Sequence, residues 1–351
     1  MSLVYCDIIN ETPVLFGDIL ISLKDTSLES ISIPTVYDIR MVMTDKAKGS
    51  IQGYLQKLIL IRDDVLVGWV GSVSGAQIAC SELEMYLPKE GTQKDELLST
   101  LGCTLLESEQ HTRMLIWICS EKPMCYLWDS NSFDEITEII PPYTIGSGKQ
   151  HVNALLEARR LIRGEDSFGP IITSIGNIIS YEIIYGTNLN DLWGGAIQAF
   201  YYCNNKFQQF IDYYLFVFFV DEKSNGNFKT TLHPYIFRPT IHNKSYILQR
   251  IDWHKKNTEY FFVENILEFE VDDQKIEYIP PNSIPKYCCF SGIFHHYQGG
   301  DSPISFAFPL EGSEEYLKVE MHRSQIVFDF SMRLFRIMIE ACKVIQKESK
   351  K

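Results

Sequence analysis

Residues 2–22 read Ser2-Leu3-Val4-Tyr5-Cys6-Asp7-Ile8-Ile9-Asn10-Glu11-Thr12-Pro13-Val14-Leu15-Phe16-Gly17-Asp18-Ile19-Leu20-Ile21-Ser22. Two apolar runs, 3–9 and 14–22, flank Asn10-Glu11-Thr12-Pro13. Turn-forming residues between two strand-like runs predict a hairpin. The hairpin spans a telling interval, because Asp18 follows Ser2 by sixteen residues. Removal of Met1 would leave Ser2 with a hydroxyl and a free α-amine on one short framework. Such a residue carries its own general base, so a nucleophile there needs no separate histidine. Asp18, at the end of the second strand, would steer a neighbouring lysine. The same residues also read as a start-of-chain serine and a turn aspartate. Cys6 is an alternative nucleophile after processing, at a spacing to Asp18 shorter by four; it reads equally as a buried strand cysteine.

Working outward, residues 23–53 are rich in Ser, Thr, Asp and Gly and predict a loop. Gln56-Lys57-Leu58-Ile59-Leu60-Ile61 and Val65-Leu66-Val67-Gly68-Trp69-Val70-Gly71 predict strands, turned by Arg62-Asp63-Asp64. Residues 72–87 predict a helix that starts at Ser72 or Ser74 and buries Ile78, Leu83 and Leu87. A helical stretch at 93–109 and strands at Thr112–Cys119 and Cys125–Trp128 follow. Tyr143-Thr144-Ile145-Gly146-Ser147-Gly148 is a sharp turn feeding a helix at 150–163. A helix at 168–184, a turn at 191–196 and a strand at 197–203 come next. Further short strands and a final helix at 324–348 occupy 221–351. Strands alternating with helices suit helices packed outside two stacked sheets.

Composition excludes several function classes. Apolar content of 45% in 351 residues supplies a sizeable core. A formal net charge of −13 repels phosphate backbones, which argues against a nucleic-acid partner. The nine cysteines are dispersed without CxxC or zinc spacing, as expected in a reducing cytoplasm. Cys288-Cys289 with His295-His296 is a possible metal cluster, weighed against a buried strand followed by a turn. The longest apolar run, Tyr213–Val220, has strand length, so no membrane span and no signal peptide is expected.

Five local motifs fall in one order: Gly17-Asp18, the strand at 56–61, Gly68-Trp69-Val70-Gly71-Ser72, Ile145-Gly146-Ser147-Gly148, and Gly194-Gly195-Ala196. Over residues 2–220 the set resembles the proteasome β-subunit branch of the N-terminal nucleophile hydrolases. That resemblance implies an α+β chain with a four-layer αββα sandwich at 1–220, followed by a C-terminal extension of strands and a final helix at 221–351 packed on it. It implies a cofactor-free amide or peptide hydrolase with no metal. It also implies a homo-oligomer built through the helical layer that starts near Ser72.

Residue by residue, the resemblance makes Ser2 the nucleophile and Asp18 the family's aspartate. Lys57 is the lysine beside the nucleophile, whose ammonium favours the neutral α-amine. Gly71, fourteen residues after Lys57 as in the family, offers its N–H to the oxyanion. Ser147 is the serine that hydrogen-bonds the N-terminus. The family's second aspartate falls on Asn190 in a gap-free match, with Asp191 one position later and Trp193 where a serine is expected. Other departures are a serine nucleophile where threonine is usual, a longer segment between Asp18 and Lys57, and no counterpart for 221–351. The added portion at 221–351 and the altered Asn190–Trp193 region favour the other reading, a catalytically inactive proteasome-like scaffold or interaction protein.

Overall fold

The computed structural model of the chain describes residues 2–23, 32–35, 50–87, 94–102, 111–120, 122–131, 136–149, 152, 168–186, 189, 191, 193–222, 228–230, 234–242, 245–252, 257–267, 283–295, 302–322, 325–337 and 339–340. The first hairpin is β1 (Leu3–Ile9) and β2 (Thr12–Asp18). Its turn is Asn10-Glu11, with φ of 46° and 66°. Two consecutive left-handed residues give the turn a twist that matches the strands it joins. β1 also pairs β10 (Tyr143–Gly146), and β2 pairs β11 (Ile197–Cys203), which pairs β12 (Lys206–Gln209). These five strands form a first sheet in the order β10-β1-β2-β11-β12.

A second five-stranded sheet runs in chain order: β5 (Leu58–Arg62), β6 (Val65–Gly71), β7 (Thr112–Ile118), β8 (Met124–Asp129) and β9 (Thr137–Ile139). The two sheets share one core. Val4 and Cys6 of β1 and Leu15 of β2 meet Leu58, Leu66, Val70, Leu115 and Trp117 of the second sheet. The approach is close at Gly68, where a Cβ would lie 2.5 Å from Val4 Cγ1. Alternate residues face the other way. Val65, Val67 and Trp69 of β6 pack against α1 (Val73–Tyr86) and α2 (Lys94–Gly102). Leu3, Tyr5 and Phe16 of the first sheet pack toward α3 (Phe168–Tyr185). Both faces of the first sheet are therefore buried, which explains why its strands read as nearly unbroken apolar runs rather than as alternation.

A third sheet continues this packing. Its order is β17 (Asn257–Val263), β16 (Ser245–Asp252), β15 (Tyr235–His242), β13 (Tyr213–Glu222), β18 (Tyr287–His295) and β19 (Ser302–Pro309), with β14 (Phe228–Thr230) beside β13. Leu215, Val217, Phe237 and Val263 of this sheet join the core formed by α3 and the first sheet. Its far face, with Tyr214, Phe216 and Phe290, is covered by the hairpin β20 (Leu317–His322) and β21 (Gln325–Phe330) and by Leu334 and Phe335. β3 (Leu20–Leu23) and β4 (Ser50–Tyr54) make a fifth, two-stranded sheet.

The αββα sandwich expected from the sequence is overturned. Among the described residues strand predominates, 53% against 22% helix, in five separate sheets with only short helices. The physical reason lies beyond residue 212. The outer face of the first sheet is covered by α3 backed by a large β-sheet rather than by a helical layer. The boundary expected at 220 falls inside β13. Residues 20–23 pair with 50–54, so strand reaches into both ends of the loop expected at 23–53. The expected second strand at 14–22 breaks at Ile19, whose N–H turns to the Gly194 carbonyl at 3.3 Å. Where a final helix was expected at 324–348, residues 325–330 are β21 and helix follows only at 332–337 and 339–340. The helix expected at 150–163 lies, apart from Val152, outside the described residues. No helix among the described residues is long and apolar enough to cross a membrane.

Candidate functional site

Asp18 ends β2 fully buried. One of its carboxylate oxygens accepts the Leu3 N–H at 2.9 Å and the other accepts the Gly194 N–H at 2.9 Å. Asp18 thus ties the beginning of β1 to the Gly194–Gly195 turn. Burial pushes its carboxyl up to about 6, against the opposing pull of Lys57, the two N–H groups and the amino-terminal charge.

Lys57 immediately precedes β5 and is also fully buried. Its path is opened by Gly17, where a Cβ would meet Lys57 Cβ at 3.1 Å and Leu58 Cδ2 at 2.9 Å. Trp69 grips this segment through three contacts. Its backbone N–H donates to the Lys57 carbonyl at 3.0 Å, and its indole N–H donates to the Gln56 carbonyl at 3.0 Å. The Lys57 ammonium stands 4.0 Å from the centroid of the Trp69 ring, a cation–π contact. Burial pulls the ammonium down to about 8, and Asp18 opposes that pull.

Ser2 is buried at the start of β1. Its carbonyl accepts the Ser147 N–H at 2.9 Å. The fit requires glycine at 146, which has φ +99° and where a Cβ would fall 1.8 Å from the Ser2 carbonyl oxygen. The Ser147 hydroxyl donates to the Asp191 carbonyl at 2.9 Å. Trp193 is fully buried, with its ring against Gly148.

Ser2, Asp18, Lys57, Ser147 and Asp191 therefore belong to one connected group. Gly71 is held by other partners. It closes β6 with φ +107°, and a Cβ on it would come 2.3 Å from the His111 carbonyl oxygen. The next residue, Ser72, donates its N–H to that carbonyl at 2.9 Å and caps α1 by accepting from Gly75 N–H at 3.3 Å. Asn190 lies outside the described residues. Cys6 is an interior residue of β1, its sulfur 3.7 Å from that of Cys125 on the facing sheet. Cys288 and Cys289 are buried in β18. Among the described residues no group of three or more His, Cys, Asp or Glu side chains is placed to hold a metal ion.

Three buried polar residues around this group escaped the sequence reading. Gln198 on β11 donates its amide to the Gln56 side chain at 2.9 Å, and its carbonyl accepts the Leu58 N–H at 3.4 Å. This buried amide pair brackets Lys57. Glu182 on α3 is 2% exposed and accepts the Gly195 N–H at 2.8 Å. The available signal was a polar residue inside an apolar element: Glu182 is the single charge in the eighteen residues of α3. No protein-family model matches the chain, and no curated protein is a significant match.

Proposed function

We propose that the chain is an N-terminal nucleophile amide or peptide hydrolase, proteasome-like in its site residues, with Ser2 as nucleophile once Met1 is removed. The observation that carries this reading is the burial of two opposite charges, Asp18 and Lys57, beside the start of β1. Burying ionisable groups is costly, and strongly perturbed pairs concentrate at sites that move protons. Between about 6 and about 8 both groups carry their charges. In that window the Lys57 ammonium disfavours protonation of a nearby α-amine, which leaves the amine free to accept a proton.

The Ser2 hydroxyl then attacks the carbonyl carbon of the substrate amide, and the Ser2 amine takes the hydroxyl proton. Gly71 is assigned to the oxyanion through its N–H. The tetrahedral intermediate expels the amine leaving group, which takes the proton back. Water hydrolyses the resulting ester on Ser2 and restores the hydroxyl. Asp18 anchors the first strand through the Leu3 N–H and acts electrostatically on Lys57. Ser147 fixes the Ser2 carbonyl from the other side.

The test combines intact mass, to establish whether Met1 is removed, with hydrolysis of a panel of fluorogenic peptidyl amides. Wild type should turn over at least one of them, and Ser2→Ala should abolish turnover with an unchanged circular dichroism spectrum. Activity equal to wild type in Ser2→Ala would end the assignment. The second reading, an inactive scaffold, is favoured by Trp193, whose buried ring fills the place of the family's serine. Retained Met1 together with no turnover is the outcome that selects it.

A further inference from the structure

We propose that Glu182 is a positioning residue: it fixes the Gly194–Gly195 turn and, through that turn, the seat of Asp18. Its catalytic meaning rests on reading Asp18 as part of the Ser2 site. The chain of contacts is continuous. Glu182 Oε1 accepts the Gly195 N–H at 2.8 Å and also receives the Thr35 hydroxyl. The adjacent N–H of the same turn, Gly194, goes to Asp18 Oδ2 at 2.9 Å. Asp18 Oδ1 takes the Leu3 N–H at 2.9 Å, next to Ser2. Two consecutive N–H groups of one turn are thus donated to two buried carboxylates from different elements, β2 and α3.

The turn cannot hold this course by packing alone. Gly195 has φ +81°, and Leu20 Cδ2 would lie 2.5 Å from a Cβ there, so the backbone presses directly on the Leu20 side chain. Glycine supplies no side chain to anchor it and keeps wide backbone freedom. Its orientation is set by the acceptors. The Ser147 hydroxyl holds the Asp191 carbonyl at the beginning of the same loop. Glu182 holds the other end. A carboxylate buried on α3 contributes nothing as packing that an apolar side chain would not. Its use is as a charged acceptor for the turn.

The strongest charge effects on Asp18 are those of Lys57 and the amino terminus. Glu182 lies behind the turn. Its removal therefore has two opposing effects: loss of a negative charge eases ionisation of Asp18, whereas withdrawal of the Gly194 N–H hinders it. Comparing Glu182→Ala with Glu182→Gln separates them. Both variants lack the charge, but only Gln retains an acceptor for Gly195.

The experiment is a carboxyl carbon NMR titration of the full chain labelled at aspartate, with the Asp18 signal assigned by Asp18→Asn. The midpoint should lie higher in Glu182→Ala than in Glu182→Gln, by about one pH unit for a weakened charged hydrogen bond. Coincident midpoints would overturn the proposal. If Glu182→Ala does not fold, Glu182→Met, closer in volume and equally without an acceptor, takes its place in the comparison. A parallel pH profile of peptidyl-amide hydrolysis separates the two claims. Separated midpoints without any wild-type turnover uphold the positioning role and remove the hydrolase reading. Coincident midpoints with intact turnover do the reverse.

Discussion

Replacing Lys57 by Met removes a fully buried ammonium while keeping most of its volume. The unfolded chain holds this proton up to 10.5, but the folded chain only to about 8. Between those values the unfolded state binds more protons, so the lysine's contribution to stability rises with pH. It is fully present above 10.5 and is lost as pH falls through 8. At 1.36 kcal/mol per pH unit, that interval corresponds to about 3 kcal/mol. Urea unfolding followed by tryptophan fluorescence, at several values from pH 8 to 10.5, gives the stability of wild type and Lys57→Met. Wild type should gain about 3 kcal/mol relative to the variant across this range. The buried tyrosines and cysteines titrate in both proteins and largely cancel in the difference. Below pH 8 a second effect enters, because Asp18 loses the cation that pulls it down and rises above about 6. A difference that stays flat from pH 8 to 10.5 would refute the reasoning. It would mean that the ammonium reaches water and lacks the perturbed affinity on which its proposed role beside Ser2 depends.

Two further outcomes follow from the packing. Gly146→Ala should destabilise the fold by at least about 2 kcal/mol, combining the left-handed penalty of an L-residue with displacement of the Ser2 carbonyl 1.8 Å from its Cβ; unchanged urea unfolding would show that β1 does not begin beneath that turn. Under timed iodoacetamide labelling with peptide mapping, half-buried Cys203 should react before Cys6, Cys80, Cys119, Cys125, Cys288 and Cys289, all of them buried; early labelling of Cys125 would contradict the close approach of the first two sheets.

Much of the local structure was legible because it rests on short-range rules. Asn10-Glu11 between apolar runs forms the expected hairpin, and Ser72 caps α1 where a helix start was expected. The layering was not legible. Tyr213–Glu222 reads as a strand, but nothing in its composition says that it pairs in parallel with Tyr287–His295, more than sixty residues later. That long-range pairing builds the third sheet, which covers α3 and the first sheet and overturns the four-layer expectation. At the site, glycines and charged residues were visible as motif positions. Gln56, Gln198 and Glu182 were not, because a lone polar residue in an apolar element gives no sign of which buried N–H or amide it will meet.

The arrangement of Asp18 and Lys57 bears on the choice between hydrolase and scaffold. Both oxygens of Asp18 are engaged by backbone N–H groups, while the Lys57 ammonium lies over the Trp69 ring. The two charges therefore act on one another without the close, satisfied geometry that lets a buried ion pair offset its own desolvation. Each group retains a perturbation on the order of 3 kcal/mol, in the direction that disfavours its charged form. A scaffold needs only the packing at these positions, which Asn and Met would supply at lower cost. A proton-transfer site, by contrast, gains from a cation whose affinity lies near neutrality and from a carboxylate that acts on it. The strain-prone turns at Gly146 and Gly194–Gly195 point the same way, since they seat Ser2 and Asp18 rather than merely linking strands. If Lys57→Met, Asp18→Asn and their double variant are compared at pH 7, the double should be the most stable of the three, because it alone leaves no uncompensated buried charge. A double variant less stable than either single would show that the two groups contribute independently rather than acting on one another, and the case for a coupled proton-transfer site would lose its ground.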